Sequence, residues 1–198
     1  MRAYAAASST TASYTAILNA ATAGVTDKPA RSTTENYRDL LSQIRVLDPV
    51  PAWTAALTPM PRLKVAPKHQ LVDPAIAARL LGLNAHGLLG GIPGAGESLG
   101  QLFESLATLC VRADAISVDA TVGHLRTRNG DHEVDLVVED AEARVVGIEV
   151  KLAREVEDRD VRHLCWLRDR IGERFAAGVV LTTGPYAYQR PDGIWVVP

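Results

Sequence analysis

His124-Leu-Arg-Thr-Arg-Asn-Gly-Asp-His-Glu-Val-Asp-Leu-Val-Val-Glu139, a short polar turn, and then Arg144-Val-Val-Gly-Ile-Glu-Val-Lys-Leu152 form the stretch that decides the fold. It reads as three successive strands. Leu125 to Arg128 is the first, closed by the turn signal Asn129-Gly130. Val134 to Glu139 is the second, and Arg144 to Lys151 the third, where Val145, Val146, Ile148 and Val150 supply β-branched character. Asp135 interrupts an apolar strand, and Glu149 and Lys151 share a face because strand side chains alternate with period two. If the second and third strands pair, three charges of mixed sign meet on one patch. Two carboxylates that close repel each other unless a cation or a proton lies between them. Metal-assisted phosphodiester hydrolysis uses such a patch: Asp and Glu hold Mg²⁺ through oxygen, and a Lys positions water and offsets charge at phosphorus. The plain alternative is a sheet edge bearing a solvated ion pair, a common and weak arrangement.

The order strand, Asp, strand, Glu-x-Lys, helix resembles the core of the PD-(D/E)XK nuclease-like fold, with Asp135 as the Asp and Glu149-Val150-Lys151 as the (D/E)XK element. The wording over a longer stretch is similar to the domain of unknown function that forms the C-terminal half of many prokaryotic AAA-type ATP-binding proteins. Leu102-Phe103-Glu104-Ser105-Leu106, Arg126-Thr127-Arg128, Glu133-Val134-Asp135 and Ile148-Glu149-Val150-Lys151 carry that resemblance, as do His69-Gln70-Leu71-Val72-Asp73-Pro74 and Ala78-Arg79-Leu80-Leu81-Gly82 upstream. The resemblance implies catalytic roles for Asp135, Glu149 and Lys151, with Glu104 from the first helix as an additional metal ligand beside Asp135 and Glu149. It also implies Mg²⁺ as the cofactor and an AAA-type ATPase part, either encoded separately as a partner or lost because the chain is a truncated descendant or an excised fragment. A homo-oligomer is a further expected form.

Working outward, the expected organisation is a winged-helix-like domain over 1–89, a Gly-rich linker over 90–96 and a nuclease-like domain over 97–198. The fold class is α/β: a mostly helical first part, then a mixed sheet flanked by helices. Residues 3–23 carry Tyr14, Ile17, Leu18 and Ala21 as one helical face, and a second helix begins near Ser32 or Thr33 with Tyr37, Leu40, Leu41, Ile44 and Leu47 inward. Val50 to Trp53 and His69 to Val72 then read as wing strands. In a winged helix that second helix enters the major groove, so Arg31, Thr34, Asn36 and Arg38 are the expected DNA contacts, with Lys64 and Lys68 on phosphates. The alternative for this part is a packing module whose basic residues are merely solvated. Glu97 to Ala113 is the clearest helix, its stripe being Leu99, Leu102, Phe103, Leu106, Leu109 and Cys110.

Charge is unevenly spread. Residues 1–100 carry nine Lys/Arg and six Asp/Glu, whereas residues 101–198 carry twelve and seventeen, which suits a DNA-facing part joined to a carboxylate site. Gly91-Ile-Pro-Gly-Ala-Gly96-Glu97-Ser98 has the frame of a phosphate-binding loop, but Glu97 occupies the position that needs Lys, so no ATP site is expected in this chain. Cys110 and Cys165 fit no zinc spacing and are expected as buried free thiols. No stretch has the ~20 apolar residues of a membrane span, and a cytoplasmic protein is expected. The two functions that follow are a nuclease-like, DNA-binding module performing Mg²⁺-dependent hydrolysis, and a non-catalytic regulatory or protein-interaction module on a degenerate nuclease fold.

Overall fold

The computed structural model describes residues 1–26, 28–54, 66–91, 93–127 and 130–198. The chain divides into two compact units, 1–50 with 66–106, and 51–65 with 107–198. This division lies within a long helix that already includes Ala95 and Gly96 of the stretch 90–96.

The first unit is helical. It holds α1 (Arg2–Ala6), α2 (Tyr14–Ala21), α3 (Arg31–Gln43), α4 (Pro74–Leu81), α5 (Ala85–Leu89) and the start of α6 (Ala95–Ser117). The stretch 3–23 is divided between α1 and α2, and the expected face of Tyr14, Ile17, Leu18 and Ala21 lies wholly within α2. Thr10 turns its hydroxyl back to the Ala7 carbonyl at 2.7 Å, Ser9 sits at φ 59°, and the Ser13 side chain caps α2 by accepting from the Ala16 amide. Short hydroxyl side chains compete with helical bonding in this way and stop one helix before starting another. Between α3 and α4, residues 46–50 and 68–72 pair antiparallel through Val50 N–H to Lys68 O and Asp48 N–H to Gln70 O, each 2.9 Å. The pairing therefore lies earlier than the Val50–Trp53 segment expected for it. Asp73 caps α4, Pro74 takes its first turn, and Gly82 ends it at φ 75°.

The second unit holds the sheet: β1 (Thr121–Arg126), β2 (Glu133–Glu139), β3 (Val145–Val150), β4 (Phe175–Leu181), β5 (Tyr188–Gln189) and β6 (Trp195–Val197), with α7 (Asp158–Ile171) between β3 and β4. Their order in the sheet is β1-β2-β3-β4-β6-β5. β1, β2 and β3 are antiparallel neighbours, whereas β3 with β4 and β4 with β6 run parallel. The fold is thus mixed α/β, with helices toward the N-terminus and a six-stranded mixed sheet toward the C-terminus. A helical crossover is what a parallel β3–β4 pair requires. α7 buries Val161, Leu164, Leu167 and Ile171. A Cβ at Gly147 would lie 2.9 Å from Leu164 Cδ2 and 3.2 Å from Leu167 Cδ2, so the missing side chain lets α7 lie close on β3. By alternation, Val145, Gly147 and Glu149 all point to the α7 side.

The stripe expected on α6 is corrected by the structure. Its buried residues include the small Ser105, Ala107, Thr108 and Ala115, while Leu106 is 47% exposed and Cys110 is an exposed thiol. The other thiol, Cys165, is half-buried.

Candidate functional site

Asp135 owes its placement to an irregularity. In the β1–β2 register Gly123 pairs with Val137 and Leu125 with Val134, so Asp135 and Leu136 together oppose the one residue His124. That is a β-bulge, a device that re-aims a side chain and is common beside functional sites. The β2–β3 ladder reaches Leu136–Ile148. Beyond it the Val150 amide donates to Asp135 Oδ2 at 3.0 Å, so a carboxylate takes the role of the next ladder acceptor. Glu149 lies one residue before Val150 and Lys151 one residue after. Glu149 is buried, and its Oε2 is 3.6 Å from Lys151 Nζ. The Lys151 amide bonds the Leu181 carbonyl at 2.8 Å, which fixes this corner at the carboxyl ends of the parallel strands β3 and β4. Ligands of open α/β sheets bind beyond those ends. The structure thus gathers Asp135 and the Glu149-Val150-Lys151 segment at one sheet end.

A histidine cluster adjoins this corner. His132, in the turn leading into β2, stacks on Trp166 of α7 with centroids 4.0 Å apart and planes 10° apart. Its Nδ1 is 3.4 Å from Nδ1 of His163, also on α7. Arg162 Nε donates to His163 Nε2 at 3.0 Å. Burial pushes His163 below the usual histidine range, and its electrostatic interactions with Arg162, His132 and Lys151 add to it while Glu133 opposes it. Sequence reasoning alone does not find His163 or Trp166. Their signal was the three-residue spacing that puts both on one face of α7, but their partner lies some thirty residues away.

Glu104 is held in the first unit by a different partner. Lys68 Nζ lies 2.9 Å from Glu104 Oε1, and the Lys68 side chain is 2% exposed. Expected on a phosphate-binding surface, Lys68 is instead an interior residue whose ammonium is engaged by a carboxylate. Among the described residues no group of three or more His, Cys, Asp or Glu side chains is placed to hold a metal ion.

The remaining residues expected at DNA lie on α3, except Lys64, which falls outside the described residues. Arg31 pairs with Glu35 at 2.8 Å, and Thr34 donates its hydroxyl to the Arg31 carbonyl at 2.7 Å. Arg38 bonds Asp39 at 3.1 Å and lies 4.3 Å from the centroid of the Tyr14 ring, while Asn36 is exposed. The arginines are thus partly occupied by neighbouring carboxylates. Arg174, another basic residue, turns inward: it bonds Glu139 at 2.6 Å, and Glu139 also accepts from the Trp53 indole at 2.6 Å.

Residues 99–198, half of the chain, match the family described as "Domain of unknown function (DUF4143)". The chain belongs to that family. Residues 1–87 match a second one, "Domain of unknown function (DUF8612)". No curated protein and no solved structure matches the chain. The DUF4143 match takes in every residue of the sheet-end corner and of the histidine cluster. Among the described residues no helix is long and apolar enough to cross a membrane.

Proposed function

We propose that the DUF4143 part of this chain is a PD-(D/E)XK nuclease-like module that hydrolyses phosphodiester bonds in DNA with Mg²⁺. One observation carries the reading: the Asp135 carboxylate accepts from the backbone amide of Val150, the residue between Glu149 and Lys151. The succession α6, antiparallel β1–β2–β3, α7, parallel β4 supports it, because this is the order of elements in the fold that the sequence resembles.

The donor set suits Mg²⁺. This ion takes hard oxygen ligands, keeps several waters, and is commonly held by one or two carboxylates together with substrate phosphate rather than by a closed protein cage. Asp135 and Glu149 would hold it. Glu104 is left out of the set because its carboxylate is bonded to Lys68. When bound, the ion supplies Lewis-acid stabilisation of the charge growing on the phosphoryl oxygens. Lys151, one-third exposed, carries the positive charge that orients the attacking water and offsets charge at phosphorus. The Val150 amide holds Asp135 to one rotamer. DNA is the substrate class in this reading, the cell's cytoplasm its place, and a separate AAA-type ATPase or a second copy of this chain its partner.

A calorimetric titration with Mn²⁺ tests it. Asp135→Asn is the suitable variant, since it leaves an acceptor for the Val150 amide, whereas Ala would strand that buried donor. Binding by the native chain and its loss in Asp135→Asn and Glu149→Gln are expected, followed by plasmid nicking that needs Lys151. Equal binding by all three proteins would remove the reading.

A second reading, a non-catalytic interaction module, is favoured by the ion pairs. Glu104 with Lys68 and Glu149 with Lys151 each give a carboxylate a protein cation. Absence of Mn²⁺ binding to the native chain would select it.

A further inference from the structure

The phosphodiester chemistry leaves the neighbouring histidine cluster unused, yet its hydrogen bonds run in one direction. A guanidinium has donors and no acceptor. Because Arg162 Nε donates to His163 Nε2, that nitrogen presents its lone pair, and the neutral His163 ring carries its proton on Nδ1. His163 Nδ1 faces His132 Nδ1 at 3.4 Å. His132 Nδ1 is therefore the acceptor, and the His132 proton resides on Nε2. Trp166, stacked beneath the ring, holds its plane. The chain of bonds from Arg162 through His163 thus delivers one fixed donor, the Nε2–H of His132, three residues before Asp135.

A metal between the two rings is the competing explanation. Two nitrogens about 3.3 Å apart would suit a tetrahedral zinc with bonds of about 2.0–2.1 Å. Zinc on His163 Nδ1 would move that ring's proton to Nε2, where it would confront the Arg162 N–H. Arg162 and Lys151 already place positive charge on His163, and no third ligand is grouped with the pair among the described residues. A proton, not a metal, joins the rings.

We propose that His132 binds a phosphate oxygen of a nucleic-acid strand through Nε2–H, next to the Asp135–Glu149–Lys151 corner, with His163 and Arg162 as positioning residues that set its tautomer. This rests on the phosphodiester reading for the identity of the ligand. Imidazole N–H groups bond phosphate well, and a ring locked to one tautomer forms that bond without first shifting its proton.

Long-range ¹H–¹⁵N NMR on the metal-free full chain tests the proposal. His132 is expected with its proton on Nε2 in the native protein, and as a mixture of tautomers in Arg162→Gln and His163→Phe. Addition of a short DNA duplex should move the His132 Nε2 resonance. His132→Phe keeps the stack on Trp166 and should weaken duplex binding about tenfold, the worth of one hydrogen bond to a charged group, with the Mn²⁺ titration unchanged. A native His132 protonated on Nδ1, a ring resonance that ignores the duplex, or native affinity in His132→Phe would each overturn it. Lack of Mn²⁺ binding by the native chain strikes the hydrolytic reading instead, and leaves the His132 assignment to these spectra.

Discussion

The two units are built on opposite principles. The second is ordered around an apolar interior in which Leu125, Val134, Val137, Leu164, Leu167 and Val180 are nearly or wholly buried. The first has a smaller apolar cluster around Tyr4, Leu47, Leu71 and Ala77, and beside it three consecutive polar residues, Lys68, His69 and Gln70, are buried as completely. His69 donates from Nε2 to the Ala12 carbonyl at 2.7 Å and faces the Tyr4 hydroxyl at 3.3 Å. Gln70 donates to Ser9, whose hydroxyl donates to the Gln101 carbonyl, both at 3.0 Å. At the same time α3 and its C-cap leave Tyr37, Leu40 and Ile44 more than half exposed, beside a groove of about 420 Å³ lined by Tyr4, Tyr14, Ile17 and Leu41. A sheet can bury apolar residues row by row. Short helices joined by polar turns must satisfy many terminal backbone groups, and polar side chains in the interior do that.

This contrast can be tested because all three tryptophans, Trp53, Trp166 and Trp195, belong to the second unit. Tryptophan emission therefore follows one unit and amide exchange in α1–α4 follows the other. The largest effect is expected from Glu104→Ala. Removing the carboxylate takes a close counter-charge from a buried ammonium, and breaking a buried pair costs roughly 3–5 kcal/mol, so exchange in α4 and at residues 68–72 should accelerate strongly. A neutral result would mean that Lys68 reaches water, and the polar-interior description would fail. Next comes Gly147→Ala, which drives a methyl into Leu164 and Leu167. Overpacking of this kind costs about 1–3 kcal/mol, to be read as a lowered denaturation midpoint of tryptophan emission.

Acid provides a third comparison. His69 and His163 are both held below the usual histidine value, in each case chiefly by burial. Between the depressed value and about 6.5 the unfolded chain binds more protons than the folded one. The stability these residues contribute is complete above about pH 6.5 and is lost as pH falls through the folded values. The fully buried His69 makes the first unit the more acid-sensitive, so its amides should lose protection at a higher pH than tryptophan emission changes. The smallest effect is expected from Ile44→Ser at the C-cap of α3, within about 0.5 kcal/mol as for surface positions generally. A loss of several times that size would show that Ile44 is covered in solution.

Legibility in the sequence followed the same divide. The strands around Asp135 and Glu149 were readable because β-branched runs and turn residues are local signals, and the observed β2 and β3 lie within a residue of the expected ends at most positions. β1 begins at Thr121, four residues before its expected start, because Val122 and Gly123 are paired by partners distant in the chain. The bulge that aims Asp135 has no composition of its own; it exists only in the register between two strands. Lys68 read as a phosphate contact and Glu104 as a metal ligand because an ion pair thirty-six residues apart leaves no periodic trace. The α3 stripe read as inward because helical spacing shows which residues share a face, not whether that face is covered.

The Val150 amide gives the sheet-end corner a reporter of its own. Its proton is held by a carboxylate rather than by a neighbouring strand's carbonyl, so its chemical shift and its rate of exchange with solvent track the charge on Asp135. Acidification, a captured cation or an arriving phosphate would each alter that one backbone signal, and the occupancy of this corner could be followed in the unmutated protein without a turnover assay.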